Sequence, residues 1–484
     1  MRFLFVFRSV EWIGVEYISA SLKRAGHETD MAFEADLGGT FYFGSRSRTH
    51  GSIIEKVREF GPDMVLFSST TQLFPWVKEV SRDIKEHFDI PILVGGIHAT
   101  IQPEEVLSDD HIDMVCVGEG EEAIVELADR MQEEQDYSDT RNIWLKSENG
   151  LIKNPVRPLI RDLDELPFPD KDLFYKYGCF RKRAYVMATR GCPYNCPYCF
   201  NHQLKRIYKD TRSLYVRRRS VGSVIEELNG YRKRYGINSV HFYDDTFTLD
   251  EGWVMEFAER YGKEIGLPFY CLVRPDHVNE RMIEALRKAG CVSMGMGIES
   301  GNDHVRNQVL KRNMSNEQIL EAARIIKAQG IKLVTFNMFG FPGEDTDQML
   351  DTMRINLDLR PDSLFTFIFY PFPGTDALRM AVEQGCIDDK SMEMIMNGEG
   401  GFQRESVLDH PYKGIAYNMK VILPLLNKMP RSTHDYFLKK WVFREHSGSL
   451  LSIISLVSLP FYSSWESWER AREQISMFKV RFTS

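Results

Sequence analysis

Three cysteines in the spacing C-x3-C-x2-C constrain this 484-residue chain more than any other feature of its sequence. Cys192, Cys196 and Cys199 lie on one short stretch that follows residues 184–189, an apolar run with the pattern of a buried β-strand. Three thiolates at this spacing can hold three irons of a [4Fe–4S] cluster and leave the fourth iron open to a small ligand. We therefore expect the cysteines at the C-terminal end of a strand, where α/β folds place their chemistry.

Other uses of these cysteines remain open from the residues alone. With His202 they could form a Cys3His zinc site, although structural zinc sites usually pair two short ligand clusters and the sequence has no second one. A disulfide framework fits poorly, because the chain has only eight cysteines. The other five are scattered: Cys116, Cys179, Cys271, Cys291 and Cys386. The pattern favours the cluster, and the low cysteine use indicates a reducing, cytoplasmic setting.

The bulk composition excludes several classes of protein. The length predicts roughly two to four domains of about 100–200 residues each. The net charge of −8 is mild and argues against a nucleic-acid binder. Met1 leads directly into an apolar, strand-like run without a charged segment or a small-residue cleavage site, so no signal peptide is expected. No apolar stretch reaches about 18 residues, so no membrane-spanning helix is predicted.

Residues 1–145 alternate strand-like and helix-like patterns, which predicts a doubly wound α/β domain of the Rossmann type. Its predicted strands end in loops of small or polar residues at 68–71, 95–100 and 118–121. Such loops allow a large ligand to lie across the strand ends. The candidate cofactor-binding residues on these loops are Ser68, Ser69, Gly95, Gly96, His98, Gly118 and Glu119.

The rest of the chain divides into three predicted parts. Residues 146–183 are rich in proline and charge and are predicted to be a linker. Residues 184–384 resume the strand–helix alternation and predict a partial (β/α)6 barrel. Residues 385–484 break it and predict a mostly helical C-terminal region that packs on the barrel. The apolar segment 450–462 suggests an alternative for this region, a surface that touches a membrane or a greasy substrate.

Over about residues 1–380 the chain resembles the cobalamin-binding radical S-adenosylmethionine (SAM) proteins. The cysteine motif in its strand-end context is the most specific part of the resemblance. In that family the open iron chelates the amino and carboxylate groups of SAM, and electron transfer cleaves SAM to methionine and a 5′-deoxyadenosyl radical. The resemblance implies that Cys192, Cys196 and Cys199 are the cluster ligands and that Tyr198 lies near the adenine.

Polar residues after the next two barrel strands match further SAM contacts of this family. Asp244 and Asp245 replace the segment whose polar groups meet the SAM amino group. Arg274 could pair with the SAM carboxylate, which suits a forked guanidinium. Each has a structural alternative, because the aspartates could cap the following helix and Arg274 could form an internal salt bridge.

Three later strand ends also match the family. Glu299 and Ser300 fit a polar contact to SAM. Gly340 belongs to the segment that passes the adenine. Tyr370 follows the sixth strand, where the family often places substrate contacts, and it is the candidate catalytic residue.

The N-terminal domain resembles the cobalamin-binding domain of the same family, with one departure. Many such domains carry Asp-x-His-x-x-Gly after the first strand, and that His ligates cobalt from below. Residues 8–14 contain no His, so a bound cobalamin is expected to lack a lower His ligand from this loop. His98 is expected to hydrogen-bond to the corrin amides or the phosphate. Loss of cobalamin by the domain is the alternative.

The resemblance implies an enzyme that methylates an unactivated carbon, with one SAM as the methyl source for cobalamin and a second as the radical source. An oxidative cyclase or rearranging enzyme acting on a tetrapyrrole-like or lipid-like substrate is an alternative. A non-catalytic cobalamin or metal sensor is another, from a different class. The expected partners are a small-molecule substrate and an electron donor such as flavodoxin or ferredoxin. One cluster is expected, because no further C-x2-C motif follows.

Overall fold

The computed structural model describes residues 1–35, 50–179, 182–401, 406–447, 450, 451, 453 and 454. Most of the apolar segment 450–462 lies outside these residues, so its contact with a membrane or a substrate stays a prediction. Within the described residues, no helix is both long enough and apolar enough to cross a bilayer.

The first sheet contains seven strands. They are β1 (Arg2–Ser9), β2 (Glu28–Ala35), β3 (Met64–Ser68), β4 (Ile92–Gly95), β5 (Met114–Cys116), β6 (Ile143–Ser147) and β7 (Gly150–Lys153). Their order is β2-β1-β3-β4-β5-β6-β7. Strands β1 to β5 are parallel, and β6 and β7 add an antiparallel hairpin at one edge. Both strands of the hairpin are short and β7 is mostly exposed, so their apolar pattern is weak. For this reason the predicted linker began at residue 146, inside β6, whereas the structure continues the sheet to Lys153.

Helices cover both faces of this sheet. They are α1 (Ile13–Arg24), α2 (Gly51–Phe60), α3 (Phe74–Lys85), α4 (Gly96–Ile101), α5 (Pro103–Leu107) and α6 (Glu121–Gln132). Phe3, Phe5 and Phe7 of β1 point into a core with α1 and α6, whereas Leu4 and Val6 point into a second core with α2 and α3. This alternation follows from the two-residue period of a strand and explains why β1 is apolar from Phe3 to Phe7. The doubly wound arrangement is the predicted one.

The second sheet is a partial barrel. After the short helix α7 (Asp172–Tyr175), the chain forms β8 (Arg183–Val186), β9 (Thr189–Arg190), β10 (Arg217–Arg218), β11 (Ser239–Phe242), β12 (Phe269–Val273), β13 (Cys291–Glu299), β14 (Lys332–Phe339) and β15 (Ser363–Ile368). Six of these strands pair in the order β15-β14-β13-β12-β11-β8, and β9 and β10 form a separate antiparallel pair. All six are parallel, which agrees with the predicted (β/α)6 barrel.

Long helices pack on the outside of the barrel. They are α8 (Phe200–Ile207), α9 (Val221–Tyr235), α10 (Glu251–Glu264), α11 (Glu280–Ala289), α12 (Asn316–Ala328), α13 (Thr346–Leu359) and α14 (Asp376–Glu383). Helices α9 to α13 each begin at a Ser, Asp or Asn whose side chain accepts a hydrogen bond from the backbone of the first turn. Each such cap stabilises its helix by about 1 kcal/mol and fixes where the preceding loop ends.

The described part of the C-terminal region is helical. It comprises α15 (Asp389–Met396), α16 (Lys413–Leu426), α17 (Arg431–Tyr436) and a π-helical turn, Phe437–Trp441. Helix α16 packs against β15 and α13, where Met419, Ile422 and Leu423 are buried with Leu364 of β15. This region therefore covers the outer face of the last barrel strand.

Candidate active site

The cysteine loop joins β9 to α8 at the C-terminal end of the barrel. Gly191 begins it with φ +86°, and a Cβ there would lie 2.2 Å from the Tyr215 carbonyl oxygen, so only glycine fits. The Cys199 amide donates to the Cys196 carbonyl at 3.0 Å, which folds the last two cysteines into one turn. Burial, followed by the charge of Asp245, raises the pKa of the Cys199 thiol to about 12. Metal binding would therefore have to displace protons from these thiols.

The donor set fits an iron–sulfur cluster better than a zinc ion. His202 Nε2 lies 2.9 Å from Asp376 Oδ2, and His202 Nδ1 lies 3.3 Å from Asn195 Oδ1, so both ring nitrogens already have partners. Across the described residues, no group of three or more His, Cys, Asp or Glu side chains could hold a single metal ion. A cubane cluster takes one thiolate per iron, so its ligands need not converge on one metal.

The two aspartates after β11 differ in their surroundings. Asp244 is buried and accepts hydrogen bonds from Thr189 Oγ1 at 2.6 Å and from the Ala188 amide at 3.3 Å. Burial raises its pKa to about 6. Asp245 lies near the cysteines, since its charge is among the causes that raise the pKa of Cys192 and of Cys199. Asp244 thus braces the start of the cysteine loop, and Asp245 is the carboxylate whose charge acts on the cysteines.

Arg274 is engaged by its own loop. Its Nε and Nη2 donate to the two carboxylate oxygens of Asp276, both at 3.0 Å, and Nη2 also donates to the Arg312 carbonyl at 3.0 Å. The guanidinium stacks on the Tyr194 ring, 3.4 Å from its centroid. Arg274 therefore forms an internal salt bridge with Asp276 in this structure, which is one of the two alternatives that the sequence left open.

Arg312 is a second buried arginine near the cysteine loop. It is buried, and it donates to Tyr198 Oη at 2.8 Å and to the Gly297 carbonyl at 2.6 Å, with Glu299 Oε1 at 3.4 Å. Burial raises the pKa of Glu299 although Arg312 opposes the shift. Glu299 has φ +67°, a left-handed conformation that a Glu rarely adopts. Arg312 carries no signal in the sequence, because it follows the π-helix Val305–Val309 and not a strand.

The remaining predicted SAM contacts face other parts of the protein. Ser300 Oγ is buried, 3.4 Å from Thr352 Oγ1, and accepts a hydrogen bond from the Asn302 amide. Gly340 has φ +82°, and its amide donates to Glu344 Oε2 at 2.7 Å, so the carboxylate closes this loop.

Tyr370 is directed towards the C-terminal region. Its hydroxyl donates to the Glu399 carbonyl at 3.0 Å, and its ring packs edge-on against Phe372 with centroids 5.0 Å apart. Burial raises the pKa of Tyr370 to about 12, so the hydroxyl keeps its proton at neutral pH. In this structure the hydroxyl makes a structural hydrogen bond, and its catalytic role stays a prediction.

A cavity of about 240 Å³ lies at the C-terminal ends of β1, β3, β4 and β5. Of the predicted cofactor residues, five line it: Ser68, Gly95, Gly96, Gly118 and Glu119. A Cβ on Gly96 would come within 2.7 Å of the Ser69 amide, and one on Gly118 within 2.0 Å of Tyr208 Oη. The walls between these glycines include Leu66, Leu93 and Ile124. An apolar slot of this size fits a flat heterocycle such as the base of the cobalamin nucleotide tail.

Ser69 and His98 lie in the core and do not line this cavity. The His98 ring is 1% exposed and packs on Phe74, with centroids 4.6 Å apart. Burial lowers the pKa of His98 to about 4, so the ring is neutral. Ser69 Oγ donates to the Thr70 carbonyl. Direct contact of Ser69 or His98 with the cofactor stays a prediction. The burial of both side chains in the core does not favour it.

The loop after β1, which lacks a His, carries a contact between the two domains. Glu11 of this loop lies 2.6 Å from Nζ of Lys171, which also contacts Glu16 at 2.7 Å and the Tyr185 carbonyl at 2.9 Å. All of these side chains are buried. The group ties the first domain to the first barrel strand. Trp12 of the same loop lines the cavity.

Glu119 belongs to an ion-pair network between the two domains. Its carboxylate accepts hydrogen bonds from both Nη atoms of Arg217, at 2.9 and 2.6 Å, and lies 3.3 Å from Nη1 of Arg190. Its amide donates to Tyr208 Oη at 2.7 Å. Met187 and Arg190, which precede the cysteine loop, line the same cavity. The fold and the site together define a class: an iron–sulfur barrel whose cysteine loop adjoins a corrinoid-binding domain.

Comparison with known proteins gives the family. The Radical SAM superfamily matches residues 186–355, and the B12 binding domain matches residues 7–128. An uncharacterized methyltransferase of Pyrococcus horikoshii is 30% identical over 384 residues, which cover 76% of this chain and 78% of that protein. The chain belongs to the radical SAM superfamily, as a member with a B12 binding domain. This confirms the predicted enzyme class, fold class and set of cofactors.

Two further relatives extend the likeness over the chain. The anaerobic magnesium-protoporphyrin IX monomethyl ester cyclase of Cereibacter sphaeroides is 24% identical over 85% of this chain and 70% of its own length. The structure of the radical SAM methyltransferase TsrM from Kitasatospora setae, with cobalamin and a [4Fe–4S] cluster bound, superimposes with a TM-score of 0.69. That match covers 100% of this chain and 99% of TsrM at 15% identity, so it establishes the shared fold.

Proposed function

We propose that this chain is a cobalamin-dependent methyltransferase that acts on an unactivated carbon of a small molecule. One observation carries the proposal: Met187 and Arg190 line the cavity of the B12 binding domain, and Cys192 follows two residues after Arg190. A methyl carrier and a radical source would therefore adjoin one another. The methyltransferase relative of Pyrococcus horikoshii supports this reading.

The site residues divide the work of binding. When bound, the cluster supplies an electron to SAM and cobalamin supplies a methyl group. We assign Cys192, Cys196 and Cys199 to the cluster. Asp245, whose charge acts on Cys192 and Cys199, suits the SAM amino group. Arg312 suits the SAM carboxylate because its buried Nε has no hydrogen-bond partner among the described residues.

Two residues would hold this arrangement in place. Tyr198 accepts a hydrogen bond from Arg312 and thereby fixes the guanidinium beside the last two cysteines. Glu344 fixes the backbone amides of Gly340 and Phe341, which sets the loop proposed to pass the adenine. Each acts through its neighbour, so both are positioning residues.

A cyclase is the second candidate. The cyclase of Cereibacter sphaeroides aligns with 85% of this chain, more than the methyltransferase relative does, although its identity is lower. The two reactions differ in what happens to SAM. Only methyl transfer requires S-adenosylhomocysteine to form beside 5′-deoxyadenosine.

The proposal implies a setting and a protein partner. Each radical formed from SAM consumes one electron, so a donor of the flavodoxin or ferredoxin type is needed. Cys192 and Cys199 are partly exposed, which leaves the cluster site within reach of such a donor. The three cysteines of the loop form no disulfide, which supports a reducing, cytoplasmic setting. We place the first domain at 1–153, since β6 and β7 belong to its sheet.

Product analysis after anaerobic reconstitution tests the proposal. The full chain would be incubated with cobalamin, SAM and a strong one-electron reductant, and both nucleoside products quantified. We expect S-adenosylhomocysteine only when cobalamin is present, and 5′-deoxyadenosine whenever the cluster is present. Deoxyadenosine without S-adenosylhomocysteine would favour the cyclase, and neither product with an intact cluster would favour a sensor.

A further inference from the structure

Asn201 lies two residues after the last cysteine of the loop and contacts its sulfur. The side-chain Nδ2 of Asn201 lies 3.7 Å from Cys199 Sγ, which is within hydrogen-bond reach of the large sulfur atom. The backbone amide of Asn201 acts on the same sulfur, since it opposes the rise in the pKa of Cys199 that burial causes. One residue therefore directs two N–H groups at this cysteine.

Tyr215 holds the other end of the Asn201 side chain. Its hydroxyl donates to Asn201 Oδ1 at 2.7 Å. Because an amide oxygen accepts and an amide nitrogen donates, this bond leaves Nδ2 for acceptors on the opposite side. Burial raises the pKa of Asp245, and a hydrogen bond from the Asn201 side chain opposes the shift. The amide nitrogen is therefore shared between Cys199 and Asp245.

Tyr215 is itself fixed at the start of the cysteine loop. It is 5% exposed and packs with Leu159 and Tyr208 in a small core. A Cβ on Gly191 would lie 2.2 Å from the Tyr215 carbonyl oxygen, so the backbone of Tyr215 lies directly against the first residue of the loop. Tyr215 therefore contacts the start of the loop with its backbone and the residue after its end, through Asn201, with its hydroxyl.

Helix capping does not account for this arrangement. Helix α8 begins at Phe200, so its cap position is Cys199, which makes no side-chain cap hydrogen bond. Asn201 is the second helical residue. Its Oδ1 accepts from a tyrosine hydroxyl and not from a backbone amide of the first turn, and its Nδ2 is directed to a sulfur. The side chain therefore acts on the cysteine and not on the helix end.

We propose that Asn201, fixed by Tyr215, is a positioning residue that orients Cys199 towards the cluster and raises the reduction potential of the cluster. A hydrogen-bond donor at a ligand sulfur stabilises the reduced form, which carries the greater negative charge. The bond to Tyr215 keeps the donor from turning away. The inference rests on the assignment of Cys199 to the cluster, and it holds for a methyltransferase and for a cyclase alike.

The midpoint potential of the cluster tests the inference. The reconstituted full chain with cluster and cobalamin, kept without SAM so that none is cleaved, would be poised at a series of potentials. The electron paramagnetic resonance signal of the reduced cluster measures its amount. Asn201→Asp keeps an acceptor for Tyr215 but replaces the donor with a carboxylate. At the wild-type midpoint we expect its ratio of reduced to oxidised cluster to fall at least tenfold, about 59 mV for a one-electron couple.

Two further variants separate the donor from the added charge. Asn201→Ala removes the donor without adding charge, so the ratio should fall at least threefold. Tyr215→Phe removes one hydroxyl that makes its bond to Asn201 and not to the cysteine, and it should lower the ratio at least twofold. Tyr208→Phe is the matched control and should keep the wild-type midpoint, because Tyr208 lies in the same core and its hydroxyl accepts from the Glu119 amide.

Iron and labile sulfide analysis shows which variants hold the cluster. Wild-type midpoints in every variant that holds it would overturn the inference. If neither Asn201 variant assembles a cluster, Tyr215→Phe decides, and a midpoint equal to that of Tyr208→Phe would then overturn the inference. A wild-type chain that assembles no cluster would instead contradict the assignment of the cysteines, so the two failures are distinguishable.

Discussion

Arg190 contacts the carboxylate of Glu121 at 2.5 Å and thereby joins the strand before the cysteine loop to the first helix turn of α6 in the B12 binding domain. The guanidinium also lies over the ring of Tyr17, 4.8 Å from its centroid. Burial disfavours its charge, but Glu121 and Glu119 more than offset this and raise the pKa of Arg190. The position of the cysteine loop therefore depends on two carboxylates of the other domain.

Glu121→Gln should weaken this connection. The Arg190 charge would keep only the longer contact to Glu119, so we expect the free energy of unfolding to fall by about 2 kcal/mol. S-adenosylhomocysteine formation should fall more than 5′-deoxyadenosine formation, because the cysteine loop itself is unchanged. Glu122→Gln is the control, since the Glu122 side chain is 62% exposed. Equal melting curves for the two variants would contradict the role of Glu121.

Replacing any cysteine of the loop should abolish the cluster. Cys199→Ala should lower iron from about four per chain to near zero and remove 5′-deoxyadenosine formation, whereas cobalamin binding should persist. Iron and labile sulfide analysis with cobalamin absorbance measures both. Cys386→Ala, at a partly exposed cysteine in another region, should keep its iron. Iron retained in Cys199→Ala would count against the cluster site.

Arg312 and Arg274 can be separated by their effect on SAM affinity. Arg312→Gln should raise the Kd for SAM at least tenfold, about 1.4 kcal/mol, because a charge-assisted contact to the carboxylate is lost. Arg274→Gln should destabilise the loop at 274–276 but change the Kd less, since Asp276 occupies its guanidinium. Calorimetry with the reconstituted protein measures the Kd. The reverse ranking would restore the assignment from the sequence.

Features that depend on neighbouring residues were predictable from the sequence. The cysteine spacing, the glycines after β4 and β5, and the alternation of strands and helices each follow from local geometry. The outward or inward orientation of strand residues follows in turn, because a strand has a period of two. The order of the strands in each sheet was not predicted, and the hairpin of β6 and β7 was missed.

Features that depend on a distant partner were not predictable. For Arg274 the sequence left a SAM contact and an internal salt bridge open, and only the fold brings the Arg312 carbonyl to its guanidinium. Tyr370 follows the sixth barrel strand as expected, but its hydroxyl donates a hydrogen bond to the Glu399 carbonyl. Arg312 has no motif of its own. It lies in the loop before α12, and only the tertiary fold brings this loop to Tyr198. Such pairings are set by tertiary packing and leave no periodic pattern.

Filling the cavity at the first sheet should remove cobalamin. A Cβ on Gly95 would meet its nearest neighbours, Cys116 Cβ and the Phe67 carbonyl, at 3.8 Å, so the backbone tolerates a side chain there. Gly95→Leu should extend into the cavity and weaken cobalamin binding at least tenfold while the iron content stays near that of the wild type. Gly230→Leu, where no atom lies within 4 Å, is the control. Unchanged cobalamin binding in Gly95→Leu would place the corrinoid elsewhere.

Glu344 should make the stability of the protein depend on pH. Burial raises its pKa from 4.5 to about 8, so between these values the folded state holds a proton that the unfolded chain has lost. Stability of the wild type should therefore fall as pH rises from about 5 to 8, by up to about 4 kcal/mol. Glu344→Gln keeps an acceptor for the Gly340 and Phe341 amides and carries no charge, so its stability should fall less steeply over this range. Asp244, whose pKa burial also raises to about 6, contributes part of the remaining slope. Urea unfolding of the metal-free chain at several pH values measures the slopes. Glu259→Gln, at an exposed position of α10, is the control and should retain the wild-type slope. If the slope of Glu344→Gln equals that of the wild type, Glu344 does not titrate between pH 5 and 8.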